Sequence, residues 1–115
     1  MIDIVDRIFE AAGLGYKETK YTRPPQNAYF VAFDAETLVG PDLCPGMLRE
    51  HDITIEAYEP RIDAAAESAL EEAMTSAGIE WTRSDREWIQ TEQLYMVTYT
   101  FKIYEKRRYS NVEKR

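Results

Sequence analysis

Cysteine and histidine are almost missing from this chain: 115 residues contain one of each, Cys44 and His51. A lone cysteine closes no internal disulfide, so a reducing, intracellular site of synthesis is expected. One cysteine and one histidine fall short of the four ligands that a structural zinc site takes. Glycine is scarce too, at five residues. Gly13-Leu14-Gly15 lacks the third glycine and the preceding strand of a phosphate-cradling loop. No apolar run approaches the roughly 20 residues of a membrane span. The opening residues, Met1-Ile2-Asp3-Ile4-Val5-Asp6, carry acids where a secretory signal carries positive charge, so no targeting peptide is expected.

Catalytic groups are equally thin. A hydrolytic triad needs a nucleophile, a base and an orienting group. Cys44 and His51 form the single thiol–imidazole combination on offer, and their spacing says nothing about their separation in space. A loop cysteine and a strand-edge histidine are the simpler reading. Carboxylates are plentiful, yet no pair has a distinctive spacing. No catalytic, cofactor-binding or metal-ligating residue is assigned, and the chain is not expected to be an enzyme.

What the chain does have is acid, aromatics and alternation. Net charge is −7, unevenly spread. Residues 102–115 sum to +4, with Lys102, Lys106, Arg107, Arg108, Lys114 and Arg115 against Glu105 and Glu113; residues 1–101 therefore sum to −11. Such a body repels nucleic acid, while the basic end suits an acidic surface or a solvated terminus. At 44% apolar and 30% charged residues, the composition is that of a folded globular domain. Its length suits one domain with one modest core.

Ile4, Val5, Ile8, Phe9 and Ala12 share one helical face, with Asp3 as the expected cap and Gly13 as the stop. Gly13 to Asn27 reads as a linker broken by Gly15, Pro24 and Pro25. Tyr29 to Phe33 is a strand extending toward Leu38, and Val39 to Gly46 is an irregular loop. Ile53 to Tyr58 alternates cleanly as a second strand. A helix follows from about Ile62 to Ala77. It has Ile62, Ala66, Ala69, Leu70, Ala73 and Met74 on its inner face, Glu67, Glu71 and Glu72 facing out, and Gly78 as the stop. Ile79 to Trp88 forms a third strand, and a turn near Ile89–Gln93 leads into a long fourth strand, Leu94 to Tyr104.

The order helix, strand, strand, helix, strand, strand predicts an α+β fold: a four-stranded, mainly antiparallel sheet with two helices on one face. One domain spans residues 1–104, and residues 105–115 form a basic tail. The last strand far exceeds the usual five or six residues. Tyr99 and Phe101 face the helices, leaving Met96, Thr98 and Tyr104 on the other side. Eight tyrosines and two tryptophans exceed what a small core absorbs, and exposed aromatic surface or an unpaired edge favours association. Candidate interface residues are Met96, Thr98, Tyr104, Lys106, Arg107 and Arg108.

Several of these stretches together resemble the tail terminator, or tail completion, proteins of long-tailed bacteriophages and prophages. They are Tyr29-Phe30-Val31-Ala32-Phe33, the Gly40-Pro41-Asp42 loop, Ile53-Thr54-Ile55-Glu56-Ala57-Tyr58, the helix with Asp63 and Glu67, Gly78-Ile79-Glu80-Trp81, Trp88-Ile89-Gln90-Thr91-Glu92 and Leu94 through Phe101. The similarity covers about residues 28–104. It implies a non-enzymatic virion protein without cofactor, made in the host cytoplasm and located at the tail or neck. Such proteins form rings, commonly hexameric, that join the tail tube to the head connector, with DNA passing through. No membrane contact is implied. A small adaptor or regulatory domain, binding a protein or small ligand between helix and sheet, is the alternative.

Overall fold

The computed structural model describes residues 2–18, 27–39 and 48–106. Its elements are α1 (Asp3–Ala12), β1 (Lys17–Glu18), β2 (Tyr29–Val39), β3 (Leu48–Glu59), α2 (Ala64–Ser76), β4 (Thr82–Arg83), β5 (Glu87–Ile89) and β6 (Leu94–Lys106). The class is α+β, as expected from the alternation of patterns. The sheet departs from the simple four-stranded expectation. It runs β1-β2-β3-β6-β4, with β5 also on β6, and it is mixed because β1 pairs β2 in parallel.

The expected third strand, Ile79 to Trp88, is broken into β4 and β5. Thr82 and Arg83 pair with Thr100 and Tyr99, and Glu87 pairs with Met96. Between them Ser84 takes over the ladder at Thr98: its N–H donates to the Thr98 carbonyl, and its Oγ accepts from the Thr98 N–H. Asp85 and Arg86 then stand against Val97 alone, the two-against-one count of a bulge. The bulge turns Arg86 toward α2, where its guanidinium lies 2.6 Å from Glu67.

Both helices pack on one face of the sheet. From α1 come Val5, Ile8 and Phe9; from α2, Ala66, Leu70, Ala73 and Met74. They meet Phe30 and Ala32 of β2, Ile53, Ile55 and Ala57 of β3, and Val97, Tyr99 and Phe101 of β6. The period of two puts these strand residues on one side, and registers such as Ala32↔Ile55↔Tyr99 align them across the sheet. Each large side chain buried here is worth about 1.5–3 kcal/mol of transfer free energy.

Helix ends follow their local chemistry, with two corrections. α1 begins after Ile2, with no side-chain cap, so Asp3 lies in the first turn, where its charge faces the positive end of the helix dipole. Gly13 ends it at φ +73°, as glycine alone does without strain. α2 starts at Ala64, later than expected, because Asp63 Oδ1 accepts the Ala66 N–H at 3.0 Å; Ile62 falls outside the helix and is exposed. Gly78, at φ +78°, follows its last turn. Among the described residues, no helix is long and apolar enough to cross a membrane.

Candidate functional site: a three-stranded arm

β2, β3 and β6 contain 11, 12 and 13 residues, about 36–43 Å each at strand rise. The two helices are far shorter. The sheet therefore projects past them, and the molecule measures 54 × 28 × 24 Å. The projecting arm comprises residues 33–39, 48–54 and 100–106. Its registers are continuous: Phe33↔Thr54↔Thr100 at its base and Val39↔Leu48↔Lys106 at its end.

At the base of the arm, Ile53 and Phe101 still pack into the core under the helices, with Ile103 partly buried against it. Farther out, among the described residues, cross-strand ion pairs take the place of a core. Glu36 of β2 pairs with Arg49 of β3. Lys102 of β6 lies 2.8 Å from Glu50 and 3.5 Å from Asp52, both on β3. The strongest link involves all three strands. His51, only 5% exposed, places Nδ1 2.9 Å from Asp34 Oδ2 on β2 and Nε2 2.9 Å from Glu105 Oε1 on β6. Carboxylates only accept, so both ring nitrogens must donate, and the ring is imidazolium. Burial alone would lower its pKa; the hydrogen bonds and charges of Glu105 and Asp34 outweigh burial and raise it above the ordinary histidine value.

The opposite end of β3 has the matching feature. Glu59 is 1% and Glu67 4% exposed, so Glu67 does not face out as expected. Its helix position puts it over the end of the sheet beside Glu59, and Arg86, with Arg83 at 3.6 Å, compensates its charge. Glu59 Oε1 accepts the Asp63 N–H at 2.7 Å, while Oε2 of both glutamates is buried without a donor. A proton shared between the two carboxyls would satisfy them. Burial and the Glu67 carboxylate push Glu59 up to about 7. Burial acts upward on Glu67 too, but its hydrogen bonds to Glu59 and Arg86 bring it below the ordinary range.

Of the candidate interface residues, Tyr104 lies on the arm, 54% exposed, on the sheet face away from the helices. Met96 and Thr98 are half-buried on that same face, at the helix-covered end of β6 beside β5 and the bulge. They are thus separated from Tyr104 rather than forming one patch with it. Lys106 is the last residue of β6, opposite Leu48. Arg107, Arg108 and Cys44 lie outside the described residues. His51 stands inside the central strand, not before a strand and not at a sheet edge, because β3 begins at Leu48.

Sequence reasoning passed over His51, Asp34, Glu105 and Glu59 as a set. One signal was present: in His51-x-Ile53-x-Ile55-x-Ala57-x-Glu59 the apolar alternation extends by one step at each end onto a titratable residue. Exposed Leu38 and Leu48, at 59% and 40%, complete the apolar surface of the arm. Among the described residues, no group of three or more His, Cys, Asp or Glu side chains is arranged to hold a metal ion. No family model matches the chain, and no curated protein matches it.

Proposed function

We propose that this chain is a non-enzymatic structural subunit that assembles into a ring, of the kind that terminates a phage or prophage tail and joins the tail tube to the head connector. The observation behind this reading is the arm. A three-stranded ribbon that leaves its helices behind and exposes Leu38, Leu48 and Tyr104 offers apolar surface and strand edges to another chain. The residue patterns resembling tail terminators run through β2, β3, α2 and β4 to β6, the elements that form the arm and its base.

Charge is consistent with a DNA conduit. Residues 1–101 carry −11, and like charges keep passing DNA from being held. The partners are further copies of the chain, the tail-tube protein and the connector protein; the place of work is the virion neck. A small-ligand domain would instead present an enclosed apolar pocket; the concavity lined by Thr54, Glu80, Thr82, Thr100 and Lys102 is open to solvent on one side.

Native mass spectrometry and negative-stain microscopy test the reading, alone and with the tail-tube protein encoded nearby in the same genome. Closed rings, formed alone or on the tube end, are expected. A chain that stays monomeric and binds neither tube nor connector protein would end this reading.

A further inference from the structure

Three carboxylates and two guanidinium groups meet where β3, α2 and the bulge come together. Glu59 ends β3, Glu67 and Glu71 lie one turn apart on α2, Arg83 belongs to β4 and Arg86 to the bulge. Arg86 lies 2.6 Å from Glu67, and Arg83 lies 2.8 Å from Glu71 and 3.6 Å from Glu67. On β6, the Tyr99 hydroxyl donates to Glu71 at 2.7 Å, and Tyr95 stands beside Glu59 in register. From the loop before α2, the Asp63 N–H donates to Glu59 Oε1, while the Asp63 carboxylate is engaged in capping the helix. The two guanidinium charges match Glu67 and Glu71, so an ionised Glu59 is one buried negative charge too many. Glu59 and Glu67 also each keep one buried carboxyl oxygen without a donor. A single proton would cancel the excess charge and join those two oxygens.

The walls around this cluster are unequal. β3 and β6 pair continuously from the end of the arm to Glu59 and Tyr95. α2 is anchored by Ala66, Leu70, Ala73 and Met74 in the core. The third wall is thin: every residue from Thr82 to Trp88 is exposed, and β5 is three residues long and pairs with β6 alone. Arg86 ties this wall to α2 through Glu67. If water is to reach the two glutamates, this is the wall that yields at least cost in buried apolar surface.

We infer that the proton shared by Glu59 and Glu67 is the catch of a pH-operated latch: its loss lets the bulge and β5 lift from the end of the sheet and bares Met96 and Thr98 of β6. Met96 is paired with Glu87 and Thr98 is bonded to Ser84, so both lose a neighbour when that wall lifts. In the closed cluster, burial and the Glu67 carboxylate outweigh the pull of Arg86 and hold Glu59 neutral up to about pH 7. Once hydrated, Glu59 ionises at the ordinary value of ~4.3. Opening therefore releases a proton. The advantage of the closed form is complete below pH ~4.3, shrinks as pH rises, and is gone once Glu59 ionises in the closed form as well.

Hydrogen exchange at two amides reads the latch directly. The Ser84 N–H donates to the Thr98 carbonyl and the Thr98 N–H donates to Ser84 Oγ, both at 2.9 Å. After correction for the intrinsic rate at each pH, the opening constant of both amides in wild type should rise at least tenfold from pH 5 to pH 8. At pH 8 it should exceed those of Ile55 and Leu70 at least tenfold, which marks the opening as local. In Glu59→Gln the amide still donates to Glu67 and cannot ionise, so the opening constant should stay at the wild-type pH 5 level throughout.

A second measurement needs no substitution. In a carbon-13 carboxyl titration of the wild-type chain, Glu59 should pass its midpoint near pH 7. A midpoint in the ordinary glutamate range overturns the latch. So does an opening constant at Ser84 and Thr98 that ignores pH, a Glu59→Gln variant that follows the wild-type pH profile, or exchange of both amides only together with Leu70. None of these outcomes bears on whether the chain forms rings, which sedimentation and microscopy decide.

Discussion

The two ends of one sheet are stabilised in opposite ways. Under the helices, β2, β3 and β6 present Phe30, Ala32, Ile53, Ile55, Val97 and Tyr99 to a closed apolar layer. Two to eight residues further along the same strands, the side chains toward the same face are Glu36, Arg49, His51 and Glu105. Backbone pairing is continuous across the boundary, so hydrogen bonding does not distinguish the halves. Burial does. Stability concentrates where water is excluded, and among the described residues no helix lies over the outer arm.

Several perturbations sharpen that contrast. The largest effect is expected from Leu70→Ala, which empties fully buried space under α2 and should cost about 2–5 kcal/mol by urea denaturation. Leu38→Ala on the arm removes the same atoms from an exposed site and should change stability by no more than about 0.5 kcal/mol. Equal losses would mean that the arm is covered in the free subunit.

Next comes Glu59→Gln. In the folded chain Glu59 titrates at about 7, above the ~4.3 of an unfolded glutamate. Its contribution is therefore fully present below the unfolded pKa and is lost as pH rises through 7. The amide still donates to Glu67 but cannot ionise. The variant should match wild type near pH 4 and exceed it by about 1–3 kcal/mol at pH 8. Parallel denaturation profiles at the two pH values would exclude proton sharing.

His51→Ala should act on the arm. Two charge-assisted hydrogen bonds are lost, a local cost of about 1.5–3 kcal/mol each at most, and Asp34, Glu36 and Glu105 are left facing one another against Arg49 alone. Amide protection should fall in residues 48–52 and 101–105 and persist at Ile55 and Tyr99. Because the histidine pKa is raised in the fold, the wild-type arm should keep full protection below pH 6.5 and lose it as pH rises through the folded value. A pH-independent arm would rule out the imidazolium. The smallest effect belongs to Lys102→Ala: the lysine is exposed and its ion pairs lie at the surface, and no measurable change in Tm is expected.

Much of the architecture was legible. Apolar residues at helical spacing located α1 and α2, alternation located β2, β3 and β6, and Gly13 and Gly78 marked helix ends through their left-handed backbone. The misreadings share a cause. Glu67 looked solvated because glutamate usually is; only the approach of Arg86 and Glu59 in space makes its burial tolerable. Ile79 to Trp88 looked like one strand because a bulge has no sharp composition; the break depends on the Ser84 hydroxyl meeting Thr98 and on Arg86 reaching α2. Asp3 carries a capping side chain, yet α1 starts one residue earlier without one.

By itself the sequence determined periodicities, and with them the elements, their order and the face each apolar residue seeks, because side-chain spacing along a helix or strand is a local property. It also determined that residues 1–101 are acidic. Only the tertiary structure decided which ionisable groups meet: Asp34 and His51 are 17 positions apart, and His51 and Glu105 are 54. It alone decided how far the sheet outruns the helices, since register is a relation between distant segments and the burial of a charge is tolerated only where its partner arrives.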